Sequence, residues 1–193
     1  MLSNVKINFL RNRFFLTVSN IFFLVSFTCY SQEINWIGVN DLKEVIKTSE
    51  KNIIIDVYTN WCGPCKLMER NTFQNKYISK FINDNYHAVK FNAEGNESIN
   101  FMDKFFQNPN FDSSRVNTRN ATHEFARFLG VSAYPTTIFL DKDLNLITPV
   151  RGYLIPKQLE IYLELFKNEG YRKITSQSDF DNFIKKFKSK IID

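Results

Sequence analysis

Cysteine and histidine are scarce in this sequence: three Cys and two His in 193 residues. A structural zinc site takes four such ligands, and a disulfide framework needs pairs that staple distant segments. Cys29, Cys62 and Cys65 provide neither, since Cys62 and Cys65 are only three positions apart and His87 and His123 stand 36 apart. No metal site is expected. Glycine and proline are also few, six and five, which argues against domains strung on flexible linkers and leaves one domain as the default. Excess charge is nearly missing as well. The formal +5 includes three basic residues in an acid-free stretch of 31, leaving 22 basic against 20 acidic residues and no argument for a nucleic-acid partner. With 44% apolar and 23% charged residues and a mean hydropathy of -0.28, disordered, collagen-like and multi-span membrane classes are excluded.

One apolar run does occur, at the N-terminus. Lys6, Arg11 and Arg13 precede a mostly apolar and aromatic stretch from Phe14 to Tyr30, after which Gln32 opens ordinary mixed polarity. This pattern reads as an export signal over residues 1–31, with Cys29 and Ser31 as the small residues before a cut at Ser31/Gln32. Two rival readings are weaker. Asn20 and the shortness of the run disfavour a permanent membrane anchor, and Phe27 and Thr28 fit poorly before a lipid-modified Cys29. The expected location is extracytoplasmic, periplasmic or secreted, and residues 32–193 are expected to form one domain.

Export removes Cys29 and leaves Cys62 and Cys65, too close in sequence to act as a stability device. Ile53, Ile54, Ile55, Val57 and Tyr58 form a β-branched and aromatic run, broken by Asp56, that reads as a buried central strand. Trp61 to Lys66 follow at once, and Leu67, Met68 and Phe73 begin helical spacing, so the pair sits at a strand-to-helix turn. Unpaired N–H groups and partial positive charge at a helix start stabilise a thiolate there. A thiol of ordinary pKa near 8.5 is about 3% ionised at pH 7, and lowering it to ~7 gives about half, roughly a 16-fold gain in attacking species. Cys62, exposed by the turn, is therefore the expected nucleophile, and Cys65, one turn further in, the shielded second thiol.

Trp61-Cys-Gly-Pro-Cys-Lys66 resembles the active-site motif of the thioredoxin family. The resemblance implies a thioredoxin fold, an α/β architecture with a mixed central sheet flanked by helices. It also implies site residues. Asp56, six positions before Cys62, is similar to the buried acid that takes the proton of the second cysteine, and Lys90 to the lysine beside that acid. Pro135 resembles the cis-proline facing the disulfide, preceded by Tyr134 and followed by Thr136, and Gly152 matches a glycine of the substrate groove. Trp61, Gly63 and Pro64 belong to the same substrate-facing set. Taken alone, Lys90 would read as a solvated edge residue and Gly152 as an ordinary turn. Ile55 to Cys62 and Cys65 to Phe73, with Glu69 and Asn71-Thr-Phe73, look closer to the extracytoplasmic C-terminal thioredoxin domain of DsbD-type electron carriers.

Asp41 to Lys51 is expected as a first helix with Asp41 and Glu44 as a capping box. The helix after the cysteines is expected to break near Asn71 and resume over Asn75 to Asn83 with Tyr77, Ile78, Phe81 and Ile82 inward. Strands are expected at His87 to Ala93, Thr136 to Leu140 and Leu146 to Gly152, the last two joined by a turn at Asp141 to Asn145, then a helix from Ile155 to Lys167. Residues 94–122 form an insertion in which Phe101, Met102, Phe105 and Phe106 suggest a short helix. It reads as a plain surface insertion, with a partner-recognition loop as the alternative. Asn96 and Asn120 head glycosylation triplets of low specificity. In the extension over 170–193, Ser178 to Ile191 places Phe180, Phe183, Ile184, Phe187 and Ile191 on one stripe, an extra helix docked on the core.

The resulting expectation is an exported thiol-disulfide oxidoreductase, mainly a protein-disulfide reductase, acting through Cys62 and Cys65 with no cofactor. Its partners would be disulfide-containing proteins and a membrane-bound electron donor, and a monomer is expected. An oxidase or isomerase would use the same residues. A cytochrome-maturation thioredoxin tends to carry Glu where Thr136 stands, and a non-catalytic binding module or chaperone would retain the fold without turnover.

Overall fold

β-branched residues are stiff at χ1 and pack well on a pleated surface, which is why the chain commits to strand around Ile53 to Val57. The computed structural model describes residues 33–192; the export-signal reading and Cys29 lie outside the described residues. In chain order the strands are β1 (Asn52–Tyr58), β2 (Tyr86–Asn92), β3 (Ile99–Phe101), β4 (Lys104–Phe106), β5 (Thr136–Leu140) and β6 (Leu146–Arg151). The α-helices are α1 (Leu42–Val45), α2 (Gly63–Met68), α3 (Lys76–Asn85), α4 (Glu124–Phe128), α5 (Pro156–Phe166) and α6 (Gln177–Lys186).

The main sheet has the order β2-β1-β5-β6. β1 pairs parallel with β2 and antiparallel with β5, so the sheet is mixed, as expected. Alternation of side chains along β1 divides the core in two. Ile53, Ile55 and Val57 pack with Val89, Phe91, Phe125 and Ile138 on one face. Ile54 packs with Met68, Phe73, Ile78, Ile82, Phe139 and Leu159 on the other. By the same alternation Asp56 belongs to the face of Ile54, beneath the helices that follow the cysteines.

Four expectations about elements are corrected. The first helix is shorter than Asp41 to Lys51: a 3₁₀ turn Val39–Asp41 leads into α1. The Asp41 carboxylate accepts from the Gly38 N–H at 2.9 Å, so Asp41 lies inside helical backbone and Glu44 caps nothing there. Thr48 then closes the end by donating its hydroxyl to the Val45 carbonyl at 2.7 Å. Beyond Met68 the chain widens into a π-helical turn, Glu69–Phe73, instead of breaking at Asn71. The break falls at Gln74, after which the Asn75 side chain caps α3 by accepting from the N–H groups of Tyr77 and Ile78 at 3.0 and 3.2 Å.

The aromatic part of the insertion is a hairpin, β3–β4, where a helix was expected. Ile99, Phe101 and Phe106 lie on its inner face against Phe125, with ring centroids 5.1 Å from Phe101 and 5.4 Å from Phe106. Phe105 and Met102 point outward, 63% and 50% exposed. Period-two alternation therefore wins over helical spacing in this stretch. Finally, α6 ends at Lys186 and the chain does not remain helical to Ile191. Phe180 rests 6.0 Å from the Tyr162 ring, but Ile184 is exposed. The tail turns back so that buried Glu160 accepts from the Ser189 hydroxyl at 2.5 Å and the Lys190 N–H at 2.8 Å.

The hairpin turn supplies a stability test. Met102 and Asp103 have φ of 51° and 58°, a two-residue turn with both residues left-handed, which L side chains adopt at a cost of roughly 1–2 kcal/mol each and which favours Asn-Gly. Replacing the pair by M102N/D103G is expected to raise stability by about 1 kcal/mol, which is a Tm increase of roughly 2–4 °C for a chain of this size. Calorimetry showing no rise would place the strain elsewhere.

Candidate active site

The end of β1 delivers the chain to the start of α2 through Thr59, Asn60 and Trp61, and Cys62 is the residue that caps the helix, with extended backbone at φ -70° and ψ 104°. Pro64 follows in the first turn, where a missing N–H costs nothing. Cys62 and Cys65 form a disulfide with Cα atoms 5.3 Å apart. The Cys65 N–H points at Cys62 Sγ at 3.1 Å, the arrangement by which a helix start stabilises sulfur charge.

Burial of the two sulfur residues differs from expectation. Cys62 is 2% exposed and Cys65 7%, so in the oxidised form Cys62 is not the more exposed residue. The pair is distinguished by the space each borders. Cys62 opens onto a pocket of about 530 Å³ shared with Trp61, Pro64, Glu94, Arg119 and Tyr134. Cys65 opens onto a second pocket of about 570 Å³ shared with Asp56, Thr59, Lys66, Glu69 and Lys90. Trp61 and Tyr134 meet edge to face at 6.1 Å and enclose the Cys62 side.

Asp56 is 4% exposed within β1. Burial raises its pKa from 3.8 to about 7; the Lys90 ammonium works against that rise and the Glu69 carboxylate adds to it. Lys90 stands opposite Asp56 in the parallel β1–β2 register. Its Nζ is 3.9 Å from the Asp56 carboxylate and ion-paired with Glu69, and it also lies over the Trp36 and Tyr58 rings at 5.2 and 5.5 Å. The lysine is thus part of the site and not a solvated edge residue.

The remaining predicted residues brace this arrangement. The Tyr134–Pro135 peptide is cis. Pro135 is buried, and its carbonyl accepts from the Gly152 N–H at 2.8 Å. Gly152 adopts φ +95°, a backbone that side-chain-bearing residues rarely take. The buried Thr136 hydroxyl donates to the Ala133 carbonyl at 2.8 Å. Gly63 lies exposed, and neither Pro135 nor Gly152 lines the two pockets.

Several site residues were missed by sequence reasoning. Glu69 follows Cys65 by four positions, one helical turn, a spacing that could have placed it. Glu94 and Arg119 carried no such signal, because both reach the site only through the folded insertion. Buried Glu94 accepts from Trp61 Nε1 at 2.7 Å and from the Asn120 N–H at 2.8 Å. The Arg119 guanidinium sits over the Trp61 ring at 5.0 Å. Asn60 donates to the Val116 carbonyl at 3.0 Å. The 94–122 segment therefore forms walls of both pockets, which the plain-surface reading did not foresee. Among the described residues, no group of three His, Cys, Asp or Glu side chains could hold a metal ion.

Residues 39–167 match a family model described as a Thioredoxin-like domain. Thioredoxin-1 of Drosophila melanogaster is 29% identical over 102 residues, covering 52% of this chain and 86% of that protein. The thiol:disulfide interchange protein DsbD of Campylobacter jejuni is 35% identical over 66 residues, 33% of this chain, and the match spans only 12% of that relative. Among solved structures, a thioredoxin-fold protein from Helicobacter pylori superposes with a TM-score of 0.55 at 18% identity, covering 78% of this chain and 84% of that one. This last likeness concerns the fold.

Asp56 makes a prediction about pH. Because its folded pKa is raised from 3.8 to about 7, the stability linked to its protonated form is fully present below pH ~4 and is lost as pH rises through about 7. Three pKa units correspond to a loss on the order of 4 kcal/mol. Asp56→Asn removes the ionisation, so the variant is expected to be more stable than the wild type at pH 8, with the difference closing toward pH 4. Denaturant titrations at both pH values check this, and parallel pH profiles would refute it.

Proposed function

The chain belongs to the thioredoxin-like domain family and is a thiol-disulfide oxidoreductase, and we propose that it works outside the cytoplasm as a reductase of protein disulfides. The observation that carries the exchange chemistry is the acid behind the second cysteine, and the reducing direction rests on the likeness of Trp61-Cys-Gly-Pro-Cys-Lys66 to the thioredoxin motif. Asp56, with a pKa of about 7, shares a pocket with Cys65 and is poised to accept a proton near neutrality.

In the reduced protein, the Cys62 thiolate attacks one sulfur of a target disulfide. The S–S bond of the target breaks, its first cysteine leaves as a thiolate that takes a proton from water, and Cys62 becomes a mixed disulfide. Cys65 passes its proton to Asp56 and attacks Cys62 Sγ. The mixed disulfide breaks, the second target sulfur leaves as a thiolate that takes a proton from water, Asp56 gives its proton back to water, and the bridge present in this structure closes. Two electrons move from the Cys62/Cys65 dithiol to the target. Lys90 and Glu69 are positioned to set the charge felt by Asp56, and Trp61, Tyr134 and the loop braced by Gly152 and Thr136 flank the Cys62 side.

Returning the pair to the dithiol state needs a two-electron donor. For an exported protein a membrane-bound carrier fits, and likeness to a segment of a DsbD supports that class of partner. The basic, apolar N-terminal segment supports export. Intact mass of protein from its own host is expected to start at Gln32, and a mass retaining residues 1–31 would refute cleavage there.

The reduction potential of the Cys62/Cys65 couple tests the direction of electron flow. Thioredoxin lies at about -270 mV and the oxidant DsbA at about -120 mV, a gap of roughly 7 kcal/mol at ~1.4 kcal/mol per 30 mV. Trp61 fluorescence in defined thiol buffers is expected to report a value near the first. In the same assays Cys62→Ser should abolish turnover of insulin, and Cys65→Ser should accumulate mixed disulfides. A potential near the second value would make the protein an oxidase or isomerase.

A further inference from the structure

The pocket beside Cys62 differs in its charges from the pocket beside Cys65. Its carboxylate, Glu94, is buried and occupied by two N–H donors. Its cation, Arg119, is exposed on the rim. Apart from the Trp61 ring, the Arg119 side chain has no partner among the described residues, so its face is engaged by the indole while its N–H edges remain unpaired. On the other pocket the exposed charge is again a cation, Lys66, whereas Asp56 is buried and Glu69 is held by Lys90. Glu94 keeps its negative charge but is buried, with one oxygen holding both N–H donors, so the exposed charges around the disulfide are Arg119 and Lys66, both positive.

Arg119 is also held in place. It precedes Asn120, whose N–H is bonded to Glu94, and the Asn120 side chain is locked in its own turn, accepting from the Asp112 N–H at 2.9 Å and donating to the Asp112 carbonyl at 2.7 Å. The same Glu94 oxygen fixes the Trp61 indole beneath the guanidinium. A cation set in this way beside the attacking sulfur is a recognition element: a planar fork that pairs with a carboxylate. We propose that Arg119 selects protein disulfides flanked by an acidic residue, binding that side chain in the Cys62 pocket while Cys62 exchanges with the neighbouring sulfur. The inference rests on the disulfide-exchange reading of Cys62 and Cys65 and adds a substrate class to it.

The test uses pre-reduced protein and three disulfide-bridged peptides identical except for Glu, Gln or Lys next to one cysteine. Each peptide disulfide is reduced to two thiols as Cys62 and Cys65 close their bridge, so no external donor enters the single-turnover measurement. An exposed pair contributes up to about 1 kcal/mol, which predicts a second-order rate constant ~5-fold larger for the Glu peptide than for the Gln peptide, with Lys slowest. The preference is expected to vanish in Arg119→Ala, to reverse toward the Lys peptide in Arg119→Glu, and to shrink at high salt. Equal rates for the three peptides in the wild type, or the same ranking in Arg119→Glu, would overturn the assignment while leaving disulfide exchange standing. Failure of the wild type to reduce any peptide, or insulin, would overturn both.

Discussion

A carboxylate buried in the most apolar strand of the sheet is the constraint on which the rest of the site depends. Asp56 is flanked along β1 by Ile54, Ile55 and Val57, all fully buried. Carrying a full negative charge there costs several kcal/mol unless a cation answers it closely. Lys90 is the answer the fold supplies, but at 3.9 Å and in partnership with Glu69. Compensation is therefore incomplete. A tight Asp56–Lys90 pair would make the acid a permanent anion of ordinary low pKa, and an apolar neighbour would keep it protonated. Sharing Lys90 between two carboxylates places it between those limits, where proton transfer with a thiol is closest to balanced.

The strand-to-helix junction then separates two tasks in space. Alternation along β1 puts Asp56 on the face covered by the helices after the cysteines, and Cys65 lies inside the first turn of that cover, bordering the same pocket. Cys62, as the capping residue, borders the other pocket with Trp61 and Tyr134. In the proposed mechanism, proton traffic and partner contact occur on opposite sides of one short bridge. Met68 hands the helix over to a π-helical turn that begins at Glu69, the residue that holds Lys90. Wide turns of this kind are frequent at functional sites.

Much of this was legible in the residues themselves. The run Ile53 to Tyr58 could hardly be anything but a central strand, Thr136 to Leu140 forms the expected strand at the expected limits, and the motif Trp61 to Lys66 fixed where the chemistry sits. What failed was local competition and long-range contact. Asp41 looked like a helix cap, but its carboxylate reached back to Gly38. Phe101, Met102, Phe105 and Phe106 fit helical spacing on paper, yet the available partner was Phe125, which rewards alternate residues of a hairpin. Glu94 and Arg119 are unremarkable in sequence, because what gives them meaning is an indole more than thirty positions earlier.

The polar insertion shows why composition alone misled. A long segment with little regular structure must still find partners for its backbone groups. Here asparagine side chains supply them: Asn108 donates to the carbonyls of Gly95 and Ala121 at 2.9 and 2.8 Å, Asn40 donates to Ser98 and accepts from Asn100 at 2.9 Å each, and Asn120 closes its loop on Asp112. His123 adds to this by accepting from the Phe125 N–H through Nδ1 at 3.0 Å, which leaves its Nε2–H to donate to the Glu97 carbonyl at 2.8 Å. Residues that read as solvent-loving therefore act as fasteners. Together with a 3₁₀ turn at Ser113–Arg115, they hold Val116, Asn117 and Arg119 beside the disulfide, so the walls of the site are set largely by side-chain amides.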